Sequence, residues 1–290
     1  MILFWIVTGG LLLILGGYGL SLIFQKYWQR RNRRRLWKSP FSAAWDSTIR
    51  LRCRVYSKLS PAEQERLRKC VQVFLDEKSF EACGGLDSVT DEMKLVIAAQ
   101  ACLLLIGLKH HDYFGKLRSI LVYPGAFRSG RKRLFALSDE EVRGERDAVL
   151  LGESWKSGSV VIGWESALQG AANDDDGENV VLHEFAHQLD QADGIADGAP
   201  ILNSPSDYQD WARVLGHDFH KLVEESEAGK RELIDSYGAT NPAEFFAVAT
   251  ETFFERPRLM HRKHRELYEE LKQYYGLDPV KWELESSRAV

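Results

Sequence analysis

The sequence predicts an α+β fold, predominantly helical, with a small sheet beside the helix that carries His183 and one transmembrane helix ahead of the folded part. Three observations predict it. Apolar residues recur at helical spacing over several long stretches. Only two short runs, residues 119–123 and 159–164, have the β-branched, apolar character of strands. Residues 2–24 contain no charged side chain.

As a helix, that uncharged run would span roughly 34 Å, enough to cross a bilayer core with slight tilt. Lys26, Arg30, Arg31, Arg33, Arg34 and Arg35 follow it with no acid among them. A cleavable signal would need basic residues ahead of the apolar run and small residues at a cleavage site, and neither is present. The expectation is therefore a transmembrane anchor over 1–24, a basic juxtamembrane segment over 25–40 and a folded domain over 41–290. The positive-inside rule keeps the arginine cluster in the cytoplasm. That implies a single pass through the inner (cytoplasmic) membrane, the bilayer as a partner through residues 2–24, and the folded domain on the cytoplasmic side. The cluster also suits anionic lipid heads.

A length of 290 residues allows one large domain with an appendage, or two modest domains. With 44% hydrophobic and 28% charged residues, the composition excludes wholesale disorder and a polytopic membrane protein. The net charge of −4 offers no electrostatic reason to expect a nucleic-acid partner. Cys53, Cys70, Cys83 and Cys102 form no C-x-x-C pair, which leaves zinc-ribbon and thioredoxin readings without support. In a cytoplasmic domain they are expected reduced and packed in the core.

Ser60-Pro61-Ala62-Glu63 has the spacing of a capping box with proline at the first helical position. A helix to about residue 77 follows, its apolar face made by Leu67, Val71, Phe74 and Leu75. Thr90 precedes Asp91 and Glu92, acids suited to a helix N-terminus. Residues 95–108 are apolar nearly all round and too short for a second span, so they are expected as a central buried helix. The first strand ends at Pro124-Gly125, and the second is entered through Lys156-Ser157-Gly158. The Glu/Arg-rich stretch between them has no assignable pattern. Residues 171–178 read as a solvated loop, since Asp174, Asp175 and Asp176 lack the spaced oxygen ligands of a calcium site.

Asn179 is placed to cap a helix running from Val180 to about Ala192. On it His183 and His187 project from one face, one turn apart. That spacing suits two imidazoles on one tetrahedral zinc ion, with Glu184 beside them to deprotonate a bound water. Val180, Val181, Leu182, Phe185, Ala186 and Leu189 make the rest of the helix apolar. A helix buried on most sides needs a partner for such polar groups, and a metal supplies one. Catalytic zinc keeps three protein ligands and one open position. His217 and His220, like His261 and His264, sit among Asp, Lys and Arg and are expected at the surface. Asn241-Pro242-Ala243-Glu244 opens a strongly apolar helix that stops near Pro257. On that helix Glu244 and Glu251 share a face. Glu244 is either the third ligand or, with Asn241 as N-cap, the third residue of a capping arrangement. The need for a third donor favours the ligand role, with one zinc ion per chain. Glu251 then stands behind the ligands or pairs within the core. Asp190 either orients a ligand or caps the helix end.

The stretches TDEMKLVIAAQACLLLIGL, GESWKSGSVVIGW, VVLHEFAHQLDQADG and YGATNPAEFFAVATETFFERP touch the chain from about residue 90 to 257. They resemble the Mlc titration factor A family, cytosolic bacterial zinc peptidases with a zincin-type fold. The His-Glu-Phe-Ala-His-x-Leu-Asp string with Asn-Pro-Ala-Glu-Phe-Phe downstream is much more specific than H-E-x-x-H alone. The resemblance implies His183, His187 and Glu244 as zinc ligands, Glu184 as catalytic base, and a peptide or protein substrate. The zinc domain of anthrax lethal factor is similar in its site. There a tyrosine seven residues before the ligand glutamate assists catalysis, and Tyr237 stands at that spacing here. The family is soluble, so the uncharged run at the start of this chain departs from it.

The expected function is thus a membrane-anchored zinc peptidase acting through zinc-activated water. Two alternatives stay open. Zinc-hydroxide attack also serves non-peptide amides and esters. The family's name records capture of a transcriptional repressor, which allows a binding protein that sequesters a transcriptional regulator. The strand at 159–163 either offers its edge to an extended peptide or is internal to the sheet.

Overall fold

The computed structural model describes residues 24–125 and 158–286, together with Gly17, Gly19 and Ser21. The chain divides into two compact units, Met1–Phe41 and Ser42–Val290. The first unit contains a helix, α1, over residues 24–38. It exposes Phe24, Tyr27, Trp28 and Trp37.

The anchor expected over residues 2–24 lies, apart from Gly17, Gly19, Ser21 and Phe24, outside the described residues. Among the described residues no helix is long and apolar enough to cross a membrane. The transmembrane segment, the bilayer as a partner and the single-pass inner-membrane location are corrected accordingly. An uncharged run reports hydropathy alone, whereas a span needs about 20 apolar residues in one continuous helix. The helical residues described at this end include Lys26 and run on through the arginine cluster.

The second unit is mainly helical with a small sheet. Its helices are α2 (Ala43–Arg52), α3 (Pro61–Glu77), α4 (Asp91–Leu103), α5 (Trp164–Ala172), α6 (Val180–Asp190) and α7 (Pro205–Glu227). They continue with α8 (Pro242–Glu255), α9 (Pro257–Lys263), α10 (Arg265–Tyr275) and α11 (Pro279–Ser286). Five of the helices, α3, α7, α8, α9 and α11, begin with proline, whose fixed φ and missing N–H suit the first helical position. At α3 the expected capping box forms: the Ser60 N–H donates to Glu63 Oε2 at 2.8 Å, while Ser60 Oγ accepts the Glu63 N–H.

Three strands, β1 (Ser79–Ala82), β2 (Ser119–Tyr123) and β3 (Ser159–Gly163), form an all-parallel sheet in that order. Ser79, Ser119 and Ser159 stand side by side in the register. Parallel pairing needs a crossover, and α4 supplies it between β1 and β2. The two strands expected from sequence are β2 and β3. The third, β1, is four residues long with only Phe80 half-buried, so it has no alternation to betray it. Among the described residues β3 lies at the edge of the sheet.

The buried helix expected over 95–108 is α4, but it ends at Leu103 and the chain then turns through Gly107. Phe185 on α6 packs against Phe114 and Phe74, ring centroids 4.8 and 5.6 Å away, which seats α6 between α3 and the loop before β2. All four cysteines are free; Cys53, Cys70 and Cys102 are buried and Cys83 half-buried. Two surface expectations are corrected. His264 is buried, its Nδ1 2.6 Å from Asp218 Oδ1, because a carboxylate on α7 gives it a partner inside. Asp174 in the loop before α6 is also buried, paired with Lys58 Nζ at 2.7 Å and Arg54 Nε at 3.3 Å. The unassigned polar stretch between β2 and β3 lies outside the described residues, except at its ends.

Candidate metal centre

The centre is built where α6 meets α8. Asn179 opens α6, its Oδ1 accepting the N–H groups of Val181 and Leu182 at 3.1 and 3.0 Å. Helical periodicity then places His183 and His187 on one face. Both are buried, at 2% and 1% exposure, and so need partners for their ring nitrogens. Asn241 opens α8 with its Oδ1 accepting the Glu244 N–H at 3.0 Å. The Glu244 carboxylate does not turn back to complete a capping box. It points at the imidazoles, with Oε2 at 3.1 Å from His183 Nε2 and 3.4 Å from His187 Nε2. Glu244 thus meets the Asn241 cap through its backbone N–H and faces the two imidazoles through its carboxylate.

His183 Nε2 and His187 Nε2 are 3.2 Å apart. Three donors at 3.1, 3.2 and 3.4 Å from one another match a small tetrahedral cation. Bonds of about 2.0–2.1 Å at tetrahedral angles separate donors by about 3.3–3.4 Å. Among the described residues this is the group of His, Cys, Asp or Glu side chains that can hold a metal ion.

A buried polar frame stands behind the donors. Glu251 Oε1 accepts the Nδ1–H of His183 at 2.8 Å, and Glu251 Oε2 accepts the backbone N–H of Asn179. Because an ionised carboxylate only accepts, Nδ1 carries a proton towards Glu251 and Nε2 faces the centre, where without a metal it donates to Glu244. Glu255, one turn on, accepts from Asn179 Nδ2 at 2.9 Å and from the Gly177 N–H at 3.0 Å. Asn179 Nδ2 also donates to Gln100 Oε1, whose amide nitrogen donates to the Val96 and Ala167 carbonyls. Sequence reasoning singled out Glu251 but missed Glu255 and Gln100. The signal was partly there, since positions 244, 251 and 255 follow the i, i+7, i+11 pattern of one helix face.

The electrostatics follow the crowding. Burial disfavours the Glu244 carboxylate, but the hydrogen bonds from His183 and His187 outweigh it and hold Glu244 well below its ordinary value. Burial likewise opposes a charged His183, yet Glu244 and Glu251 lift its pKa to about 10. Two ring nitrogens and a carboxylate that must share positive charge in this way are suited to sharing a cation. Burial pushes the Glu184 carboxyl up, the two imidazoles opposing in part. Glu184 keeps partial exposure beside the buried histidines. Tyr237, half-buried in the short 3-10 turn Ser236–Ala239, has its ring centroid 6.2 Å from that of His183. Burial and the Glu244 carboxylate push its phenol up, so it stays protonated as a donor.

Asp190 takes neither role expected for it. Its Oδ1 accepts the Gly198 N–H at 2.9 Å, while the Trp211 Nε1–H donates to the Gly198 carbonyl at 2.9 Å. The loop after α6 is hooked from both sides at Gly198. A side chain there is excluded twice over: φ is +80°, and a Cβ would collide with the Pro242 carbonyl at the start of α8.

Fold and site together define the class: a mainly helical α+β protein with a three-donor centre of the histidine–histidine–glutamate kind. The sequence pattern of the glucose-regulated metallo-peptidase M90 family matches residues 27–276, and the chain belongs to that family. It is 39% identical over 255 residues to the uncharacterized protein slr2042 of Synechocystis sp., covering 88% of this chain and 91% of that one. It is also similar to proteins named Mlc titration factor A. The one from Cronobacter sakazakii is 30% identical over 270 residues, covering 84% of this chain and 91% of its own. The one from Klebsiella pneumoniae is 32% identical over 246 residues, covering 78% and 83%. The family resemblance read from the sequence is thereby established. Family and donor set point together to a metallopeptidase.

Proposed function

We propose that the chain is a zinc-dependent peptidase in which His183, His187 and Glu244 hold one zinc ion. The mutual spacing of the three donor atoms carries this reading, since it suits a tetrahedral ion and two of the donors are imidazoles. Held by those three residues, zinc would supply a water of lowered pKa and a Lewis acid for the substrate carbonyl. Glu184, partly exposed beside the donors, accepts a proton from the attacking water on its carboxylate and passes it to the leaving amine nitrogen. The Tyr237 hydroxyl donates a hydrogen bond to the carbonyl oxygen as negative charge gathers on it. Glu251 keeps the His183 ring in the tautomer that presents Nε2. The β3 edge is suited to pair with an extended substrate backbone.

The test is a metal analysis of the purified full chain together with cleavage of a peptide mixture. One zinc per chain with peptide cleavage supports the reading; cleavage confined to non-peptide esters or amides replaces it with the other hydrolase reading.

A second reading, capture of a regulator, rests on the name of the relatives, Mlc titration factor A. A pull-down with Glu184→Gln separates the two, because capture survives the loss of catalysis.

A further inference from the structure

A cavity of about 1200 Å³ opens at the C-terminal end of α6, lined by residues of α6, the loop before β2, the start of α7 with the segment ahead of it, and the end of α10. Its position relative to Glu184 follows from α6 itself. Along Val180–Asp190 only Glu184 and Gln188 are not buried, and the half-buried Ala192 follows just past the helix end. Glu184 and Gln188, four apart on the helix, lie on one face, and Ala192 follows in the turn after it. Gln188, Leu189 and Ala192 line the cavity. The cavity therefore begins one helical turn from Glu184, about 5–6 Å away. An extended peptide rises about 3.3 Å per residue, which puts the cavity within about two residues of a bond being cut beside Glu184.

The lining decides what enters. Leu105, Leu108, Phe114 and Leu189 make an apolar floor. Among its titratable lining residues, Lys109 and Lys116 are matched by Asp112 and Asp207, and His110 and His111 add no fixed charge, so no net field selects an ion. The volume admits any natural side chain, and selection falls to polarity.

The floor is also held in a costly conformation. Tyr113 and Phe114 have φ of 49° and 53°, a left-handed geometry that bulky residues avoid. The buried Lys78 enforces it, with Nζ donating to the Phe114 and Leu117 carbonyls at 2.7 and 2.9 Å. Such strain persists where a surface must be pre-shaped.

We propose that this cavity receives a large apolar side chain of the peptide substrate, within two residues of the scissile bond. The proposal rests on the peptidase reading above and deepens it. The experiment cleaves a peptide mixture with the zinc-loaded full chain and profiles the residues on each side of every cut. One position within two residues of the cut is expected to favour Leu, Phe or Met over Asp, Lys and Ala by about tenfold or more. Ala192→Asp places a carboxylate on the cavity wall and is expected to cut that preference at least tenfold, at that position and no other. Ile201→Asp, at a wall residue 57% exposed and therefore harmless to folding, is expected to act in the same direction. Cleavage without an apolar preference, or a preference that neither variant moves, overturns the cavity's role and leaves the peptidase reading standing. If the zinc-loaded chain cuts no peptide, the peptidase reading fails and this inference fails with it.

Discussion

Glu251 accepts the Nδ1–H of His183 at 2.8 Å and, through its other oxygen, the backbone N–H of Asn179. One buried carboxylate on α8 thus orients a candidate ligand and pins the start of the helix that carries it. Glu251→Gln preserves the volume but sets an amide N–H₂ against a backbone donor or against the imidazole N–H. Zinc affinity is expected to fall about 10- to 100-fold. Competition with a chromogenic chelator measures it, and an unchanged affinity would reduce the contact to core packing.

Glu184 and His187 are expected to separate chemistry from metal binding. Glu184→Gln should lower turnover by about 10²- to 10⁴-fold while the zinc content stays near that of the wild type. His187→Ala should lose zinc and turnover together. Equal zinc loss in both variants would make Glu184 a ligand or a structural residue.

The metal-free centre has a pH signature. Glu244 is held below its ordinary value of 4.5, so its contribution to stability is present above about pH 4.5 and is lost as the pH falls. His183 is raised from 6.5 to about 10, so its contribution is full below about pH 6.5 and is lost as the pH rises towards 10. The stability difference between metal-free wild type and metal-free Glu244→Gln is therefore expected to peak between about pH 4.5 and 6.5. Urea midpoints across pH 3–10 trace the curve; a difference that keeps growing above pH 8 would contradict the pairing.

Gly198→Ala is expected to destabilise the folded unit by about 1–3 kcal/mol, from the left-handed φ and the collision with the Pro242 carbonyl. Equilibrium urea unfolding reads this directly. The strain falls two residues before Glu244, so a lowered zinc affinity is expected alongside it. Wild-type stability in the variant would show that the loop relaxes away from α8.

Several elements were legible because their signals are local. The Ser60–Glu63 box and the caps at Thr90, Asn179 and Asn241 each sit within three residues of what they cap. β2 and β3 carry enough β-branched residues to stand out, whereas β1, Ser79–Ala82, exists only because β2 lies beside it. His264 looked like a surface residue from its charged neighbours in sequence, but its partner Asp218 comes from another helix. The run over residues 2–24 shows the opposite hazard. The length of that run, its lack of charge and the arginines after it predict a membrane span, and no helix among the described residues has the length and character for one.

What the sequence determined by itself is the facing pair His183 and His187 with Glu184 between them, because a 3.6-residue period places them wherever the helix goes. The tertiary structure alone decided that Glu244 would meet both imidazoles and that Glu251 and Glu255 would clamp Asn179. It alone decided that Asp190 would hold Gly198, and that the half-buried line through Glu184 and Gln188 would run into a cavity. Those contacts join residues far apart in the chain. They depend on how the apolar faces of α6 and α8 pack, and no local period encodes that.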